Sequence, residues 1–300
     1  MAPILSLKNI SKSYGRIKAL QDVSFDVPDG SVFGILGPNG SGKTTLLGIV
    51  MDVLVTNAGS YRWFGNLPTE KQRKKIGTLL ETPNFYHYLS AKHNLEIAAA
   101  IKQKPVSDID RVLKLVRLYE RKDSKFQTYS LGMKQRLAIA ACLLGDPSVL
   151  VFDEPTNGLD PSGIAEIREL IIELAAAGKT IILASHLLAE VEKVCTHVAI
   201  LQQGVLIKSG EVSSALSQEE WLELGSDETE KLREVLDRIP GVKEIIRSGN
   251  HFQVFFNTPS PEASWLNRFC FEQGIVLNYL QPRKKSLESA FIELTNNVSN

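Results

Sequence analysis

Nine consecutive residues, Gly37-Pro38-Asn39-Gly40-Ser41-Gly42-Lys43-Thr44-Thr45, fit the phosphate-loop spacing G-x-x-x-x-G-K-[ST]. The glycines let the backbone curl until successive N–H groups point inward, where the β- and γ-phosphates of a nucleotide can sit. A helix starting there adds its partial positive charge. Lys43 can reach the phosphates, and the Thr44 hydroxyl can hold Mg²⁺. A second chemical group follows a hundred residues on. Val149-Leu150-Val151-Phe152 is apolar and ends in Asp153-Glu154. Such a run delivers two carboxylates to the edge of a sheet, where ligands of α/β folds bind. Asp153 can then serve the metal, and Glu154 can polarise an attacking water. Alone, the run could equally be a strand entering an acidic turn.

The loop needs a strand before it and a helix after it. Ser31–Leu36 reads as a buried strand and Thr44–Val50 as a helix start. Leu5–Ile10 and Val23–Val27 alternate apolar and polar, as half-buried antiparallel strands do. From about Asn84 to Gly145 the spacing turns helical, with helices predicted over Asn94–Ile101, Ile109–Val116 and Met133–Leu144. Val149–Phe152 and Thr180–Ala184 read as buried parallel strands, with a helix over Ile164–Ala177 closed by Gly178. His197–Leu201 and Val205–Ile207 form a strand pair around Gln202-Gln203-Gly204.

A boundary falls near Ser213–Glu220, giving domains over 1–215 and 216–300. Beyond it the predicted order is β-α-β-β-α-β, a small α+β module of ferredoxin-like type. Its elements are Trp221–Leu224, a helix over Asp227–Ile239 with Asp227 as N-cap, Val242–Arg247, Phe252–Phe256, a helix over Glu262–Gln273, and Ile275–Leu280. A last helix is predicted over Leu287–Leu294.

Lys+Arg and Asp+Glu both number 34, so the formal net charge is zero and nothing favours nonspecific nucleic-acid binding. Cys142, Cys195 and Cys270 lie far apart with no metal-ligand spacing, and read as buried thiols in a reducing compartment. No signal peptide is visible at the N-terminus. No run of about 18 apolar residues occurs, so a membrane role must come through a partner.

Residues 1 to about 212 resemble the ATP-binding-cassette (ABC) ATPases, because further motifs follow in the family's order. Ser13-Tyr14-Gly15 is similar to the aromatic loop, Tyr129-Ser130-Leu131-Gly132-Met133-Lys134-Gln135-Arg136 to the signature LSGGQ-x-Q-R, Asn157-Gly158-Leu159-Asp160 to the D-loop, and Ser185-His186 to the switch histidine. By itself Tyr14 would be a partly buried strand-end residue and His186 an ordinary strand-end histidine. The resemblance implies a phosphate-loop α/β cassette with an antiparallel β part and an α-helical subdomain over about 84–145. It implies that Tyr14 stacks on adenine, that His186 contacts the γ-phosphate, and that cassettes pair head to tail. Ser130 and Gly132 of one subunit then close on ATP held by the other.

Two departures stand out. Leu131 and Met133 replace a glycine and a glutamine of the signature, and Glu81 stands where the family has glutamine. Glu81 can approach Mg²⁺ or the water, or be a solvated loop acid. With Phe85-Tyr86, these departures are similar to ATPase subunits of bacterial exporters for bacitracin, lantibiotics and related compounds. Gliding-motility and multidrug cassettes are close relatives. The resemblance therefore implies an ATPase, with ATP and Mg²⁺ as cofactors. It implies a homo- or heterodimer of cassettes, docked on a separate membrane permease at the inner face of the cell membrane. Aromatic residues over Asn84–Leu89 are equally a docking surface or part of the helical core. An ABC ATPase acting on DNA or ribosomes would carry a long coiled coil or a second cassette, and neither is present. The C-terminal module carries no chemical constellation. His251 and Arg283-Lys284-Lys285 read as solvated surface.

Overall fold

Alternating apolar residues build the first sheet. The computed structural model of the chain describes residues 3–80, 84–215, 220–257, 261–284, 289 and 291. Strands β1 (Pro3–Tyr14) and β2 (Ile17–Pro28) run antiparallel through a turn at Gly15, with Leu7 opposite Phe25. Strand β4 (Ala58–Trp63) pairs with the other edge of β1. Leu5, Leu7, Ile10, Val23, Val27 and Trp63 are buried. Trp63 is fully enclosed and its indole N–H donates to the Val50 carbonyl at 2.8 Å. Trp63→Phe removes that donor and leaves a buried carbonyl unmet. A loss of about 1–3 kcal/mol is expected, read as a lower midpoint in chemical denaturation.

The second sheet carries the chemistry. Strands β3 (Val32–Leu36), β5 (Ile76–Leu79), β6 (Val149–Asp153), β7 (Thr180–Ser185), β8 (His197–Gln202) and β9 (Val205–Glu211) lie in the order β5-β6-β7-β3-β8-β9. Only the β8–β9 pair is antiparallel. Every residue of β3 and β7 is buried, as near-continuous apolar runs in parallel sheets are. Helix α1 (Lys43–Val50) follows β3 and buries Leu46, Leu47, Ile49 and Val50 in one core shared by both sheets. The phosphate loop is thus anchored at both ends in packed structure.

The helical stretch holds α2 (Glu70–Arg73), α3 (Ala91–Lys102), α4 (Ile109–Leu115) and α5 (Leu131–Leu143). Ser90 caps α3, its Oγ accepting from His93 N at 3.2 Å. Helix α6 (Pro161–Ala176) connects β6 to β7, and α7 (Leu188–Val194) lies between β7 and β8. A four-residue turn of helix, α8 (Val212–Ala215), follows β9. Burial raises the thiols of Cys142 and Cys270 to about 11, which keeps them protonated and unreactive near neutral pH.

The chain divides by its contacts into two units. One holds the described residues up to 215 with Phe291, and the other spans 216–290. In the second, β10 (Glu220–Gly225), α9 (Thr229–Leu236), β11 (Val242–Ser248), β12 (His251–Phe256), α10 (Ala263–Glu272) and β13 (Tyr279–Lys284) give the sheet order β11-β12-β10-β13, antiparallel throughout. That is the ferredoxin-like arrangement.

Two sequence expectations shift here. Helix α9 starts at Thr229 after Glu228, so Asp227 is not its cap; the Asp227 carboxylate instead accepts from Asn278 Nδ2 at 2.7 Å. The last strand begins at Tyr279 rather than Ile275. Ile275 N donates back to the Cys270 carbonyl at 2.9 Å, closing α10, and its side chain is 2% exposed in the core. Pro282 is tolerated because β13 is an edge strand. The helix predicted over Leu287–Leu294 lies outside the described residues except at 289 and 291.

Candidate functional site

The phosphate loop leaves β3 at its C-terminal end and turns into α1. Gly40 and Gly42 take left-handed φ of 80° and 104°, conformations only glycine adopts without strain. A Cβ on Gly42 would lie 2.5 Å from the Ala19 carbonyl and 2.8 Å from Leu20 Cδ2, so the loop also needs the space. Lys43 Nζ donates to the carbonyls of Gly37 at 2.8 Å and Pro38 at 3.2 Å. The β8–β9 turn braces the loop from outside, with Gly204 N donating to the Ser41 carbonyl at 3.1 Å. Gln21 N in turn donates to the Gly204 carbonyl at 2.8 Å, tying the turn to β2.

Strand β6 brings Asp153 and Glu154 to the same edge. Glu154 N donates to the Ala184 carbonyl of β7 at 3.0 Å. Its φ of +47° is strained for a residue with a side chain, a cost that folds accept mainly at functional sites. The Glu154 carboxylate lies between two bases. Oε1 is 3.5 Å from Lys43 Nζ, and Oε2 is 2.8 Å from His186 Nδ1. Because a carboxylate accepts, His186 carries its proton on Nδ1. His186 stands directly after β7, and Ser185 Oγ turns the chain there by accepting from Leu187 N at 3.0 Å. Lysine, acid and histidine from three separate motifs therefore meet at one point.

A cleft of about 490 Å³ opens beside them. Its walls include Tyr14, Asn39, Gly42, Thr44, Glu154 and Gln203. Tyr14 is 47% exposed at the β1–β2 turn, with Lys12 Nζ over its ring at 5.3 Å from the centroid. The Ser41 hydroxyl is buried and no protein group hydrogen-bonds it. A nucleotide fits these residues: a flat aromatic face, a glycine-turned loop, a buried cation and an unmet hydroxyl. Oxygen ligands such as the Thr44 hydroxyl and Asp153 carboxylate suit Mg²⁺, a hard cation that keeps several waters. No group of three or more His, Cys, Asp or Glu that could hold a metal occurs among the described residues. Glu81, expected to approach the metal or the water, lies outside the described residues.

The signature lies elsewhere on the unit. Ser130 is the N-cap of α5, its Oγ accepting from Met133 N at 3.3 Å. Ser130 is exposed and Gly132 half-buried, with Gly163 Cα nearest to an added Cβ at 3.9 Å, an ordinary contact distance. Among the described residues, no hydrogen bond or ion pair joins Ser130 or Gly132 to the phosphate loop of the same chain. Leu131 is 49% exposed and reaches the Asn157–Asp160 loop, its Cδ2 lying 3.5 Å from a Cβ placed on Gly158. Asp160 caps α6, accepting from Gly163 N at 3.0 Å.

The aromatic stretch from residue 84 to residue 89 splits between packing and exposure. Phe85 packs edge-on against Phe126 at 5.2 Å, while Tyr86 and Tyr88 are 50% and 65% exposed. Asn94 holds them out: 2% exposed itself, its Oδ1 accepts from Tyr86 N at 2.8 Å and its Nδ2 donates to the Tyr86 carbonyl at 3.1 Å. Sequence reading missed Asn94, whose only signal is a polar residue on the inner side of a helix. It also missed Gln203 on the cleft wall, and Phe291, which lines a hollow of about 310 Å³ with Gly37, Asn39 and His186. No helix among the described residues is long and apolar enough to cross a membrane.

Comparison with known proteins gives consistent matches. A family model described as ABC transporter matches residues 20–157. The ABC transporter ATP-binding protein YhcH of Bacillus subtilis (strain 168) is 44% identical over 212 residues, 69% of this chain and 70% of that protein. The bacitracin transport ATP-binding protein BcrA of Enterococcus faecalis is 30% identical across 98% of this chain and 97% of its own length. Among solved structures, a dimeric ATP-binding cassette in a post-hydrolysis state, bound to ADP and Pi, superposes with a TM-score of 0.61 at 26% identity. It covers 69% of this chain and 98% of that one.

Proposed function

The chain belongs to the ATP-binding proteins of ABC transporters, and on that footing we propose that it hydrolyses MgATP as a dimer of cassettes to drive export through a separate membrane permease. As a member of the family it is an ATPase subunit and its cassette binds nucleotide. The observation that carries the finer reading is the placement of Glu154 between Lys43 and His186 at the mouth of the cleft.

In this reading Tyr14 stacks on adenine, and residues 37–45 hold the phosphates through their N–H groups and Lys43. Thr44 and Asp153 hold Mg²⁺, which offsets phosphate charge when bound. The γ-phosphate draws Lys43 away from the Gly37 and Pro38 carbonyls and from Glu154. Glu154, relieved of one cation, accepts a proton from the attacking water. His186 keeps its hydrogen bond to Glu154 and so orients the base toward that phosphate. Ser130 and Gly132 serve the nucleotide of the other subunit. The exposure of Ser130 at the N-terminus of α5 supports a site completed in trans. Dimer closure then depends on the γ-phosphate, and hydrolysis releases it.

Tyr86 and Tyr88 present an exposed aromatic pair, 5.9 Å between ring centres, suited to a permease docking segment. Likeness to the bacitracin transport protein supports a role in transport; the export direction and the place at the inner membrane face belong to the proposal. The module from residue 216 on is proposed as an accessory domain for dimer contacts or regulation. The test is phosphate release from MgATP by the purified chain, with Lys43→Ala as the partner variant. Wild type is expected to turn over, and Lys43→Ala to lose at least a hundredfold, since it removes a buried cation from the cleft. Equal rates in the two proteins would sink the assignment.

A further inference from the structure

Helix α6 touches both the face offered to a second subunit and the chemistry of its own. At its N-terminus it continues from the Asn157–Asp160 loop through the Asp160 cap. On one side it meets the signature helix α5, where Arg136 Nε is 3.4 Å from Glu166 Oε2. On the other it meets α7, where Arg168 Nη1 is 2.7 Å from Glu190 Oε2. Lys193 holds the other Glu190 oxygen at 2.8 Å. Burial pushes the Glu190 carboxyl up, but the hydrogen bonds from Lys193 and Arg168 outweigh it and bring the group below the usual range.

The α6–α7 contact leaves one small hollow beside this pair. An apolar gap of about 20 Å³, bounded by Pro155, Ile171, Leu183, Val191 and Val194, lies where the two helices meet the strand ends. That is room for roughly one water, and Thr156, Ser185 and the Arg168–Glu190 pair also line it. The opposite side of α7 is seated firmly. A Cβ on Gly34 of β3 would come within 2.8 Å of Val191 Cγ1 and 3.1 Å of Cys195 Sγ. Helix α7 thus packs against β3 and meets α6 beside this hollow, and His186 stands two residues before it. Half-buried, with side chains 28% and 21% exposed, the Arg168–Glu190 pair bridges the two helices beside the hollow.

We propose that the Arg168–Glu190 pair is a positioning contact: it ties the turn bearing His186 to the helix behind the Asn157–Asp160 loop, so that closure of a second subunit on that loop is transmitted to His186 and Glu154. The inference rests on the two-subunit ATPase reading above. Neither residue touches nucleotide. Their effect is on where His186 holds the base, and displacements of that order change rate more than binding.

The test uses the full chain with Arg168→Met, Glu190→Gln, Arg168→Lys and the charge-swapped pair Arg168→Glu with Glu190→Arg. Each of the first two variants is expected to lower kcat for MgATP roughly tenfold while KM moves less than about twofold. Thermal midpoints should stay close to wild type. Arg168→Lys should keep most of the turnover, and the swapped pair should recover more than the two single losses would allow if they were independent. Singles that turn over like wild type overturn the proposal. So does a kcat loss that tracks the thermal midpoint and is not recovered by the swap, because that is plain destabilisation. Wild type that releases no phosphate overturns the functional reading itself, and the inference with it; active wild type with indifferent variants overturns the inference alone.

Discussion

Glu154→Gln will bind ATP, turn over roughly a thousandfold more slowly than wild type, and accumulate as a dimer in the presence of MgATP. The size follows from the chemistry. A positioned general base contributes about 10²–10⁴ in rate, and the amide has no proton affinity to replace it. The geometry says why the variant should still fold and bind. Glutamine has the same shape, its oxygen can still accept from His186 Nδ1, and the backbone N–H of residue 154 keeps its bond to the Ala184 carbonyl. Removing the negative charge beside Lys43 also removes a repulsion toward the incoming γ-phosphate, so affinity should hold or rise. Phosphate release measures the rate, and size-exclusion chromatography with and without MgATP measures the dimer. Turnover within tenfold of wild type would mean that another group takes the proton.

That experiment tests a geometry whose parts the sequence placed unequally. The loop from Gly37 to Thr45 and the pair Asp153-Glu154 were legible because local pattern and function coincide there. Apolar runs force β3 and β6 into the sheet, and polar groups must then sit at their ends. His186 was legible only through motif order. No local pattern says that a histidine thirty-two residues beyond Glu154 lies 2.8 Å from it; that follows from β6 and β7 being neighbours in the sheet. Gln203 and Gly204 read as a simple turn. Their place against the phosphate loop comes from β8 pairing with β3. The last strand was placed four residues early because Ile275 is as apolar as a strand residue, yet closes a helix instead. The strained φ of Glu154 and the bracing of Tyr86 by Asn94 are tertiary features with no counterpart in composition or periodicity.

The composite site makes the other large prediction, and it separates function from stability. Gly132→Ala should lower ATPase activity by about 10²–10³, the usual cost of spoiling one positioned donor for developing charge. Stability should not fall with it. In its own subunit the added methyl finds Gly163 Cα nearest, at 3.9 Å, which is ordinary van der Waals distance. Alanine in a helix is also about 0.5–1 kcal/mol better than glycine, so the thermal midpoint should hold or rise. Among the described residues the added methyl meets no clash, so it does harm only if a further group must approach the α5 N-terminus closely. Mixing experiments make this decisive. A Gly132→Ala subunit keeps an intact phosphate loop, and a Lys43→Ala subunit keeps an intact signature. Neither homodimer should hydrolyse ATP. A mixed dimer has one site with both halves sound, so an equimolar mixture should regain roughly a quarter of wild-type activity if subunits exchange freely and sites act independently. Activity that stays at the level of the two variants alone would place the signature and the loop in a single subunit's site. Recovery can arise only if each ATP is held by the loop of one chain and the Ser130–Gly132 turn of another.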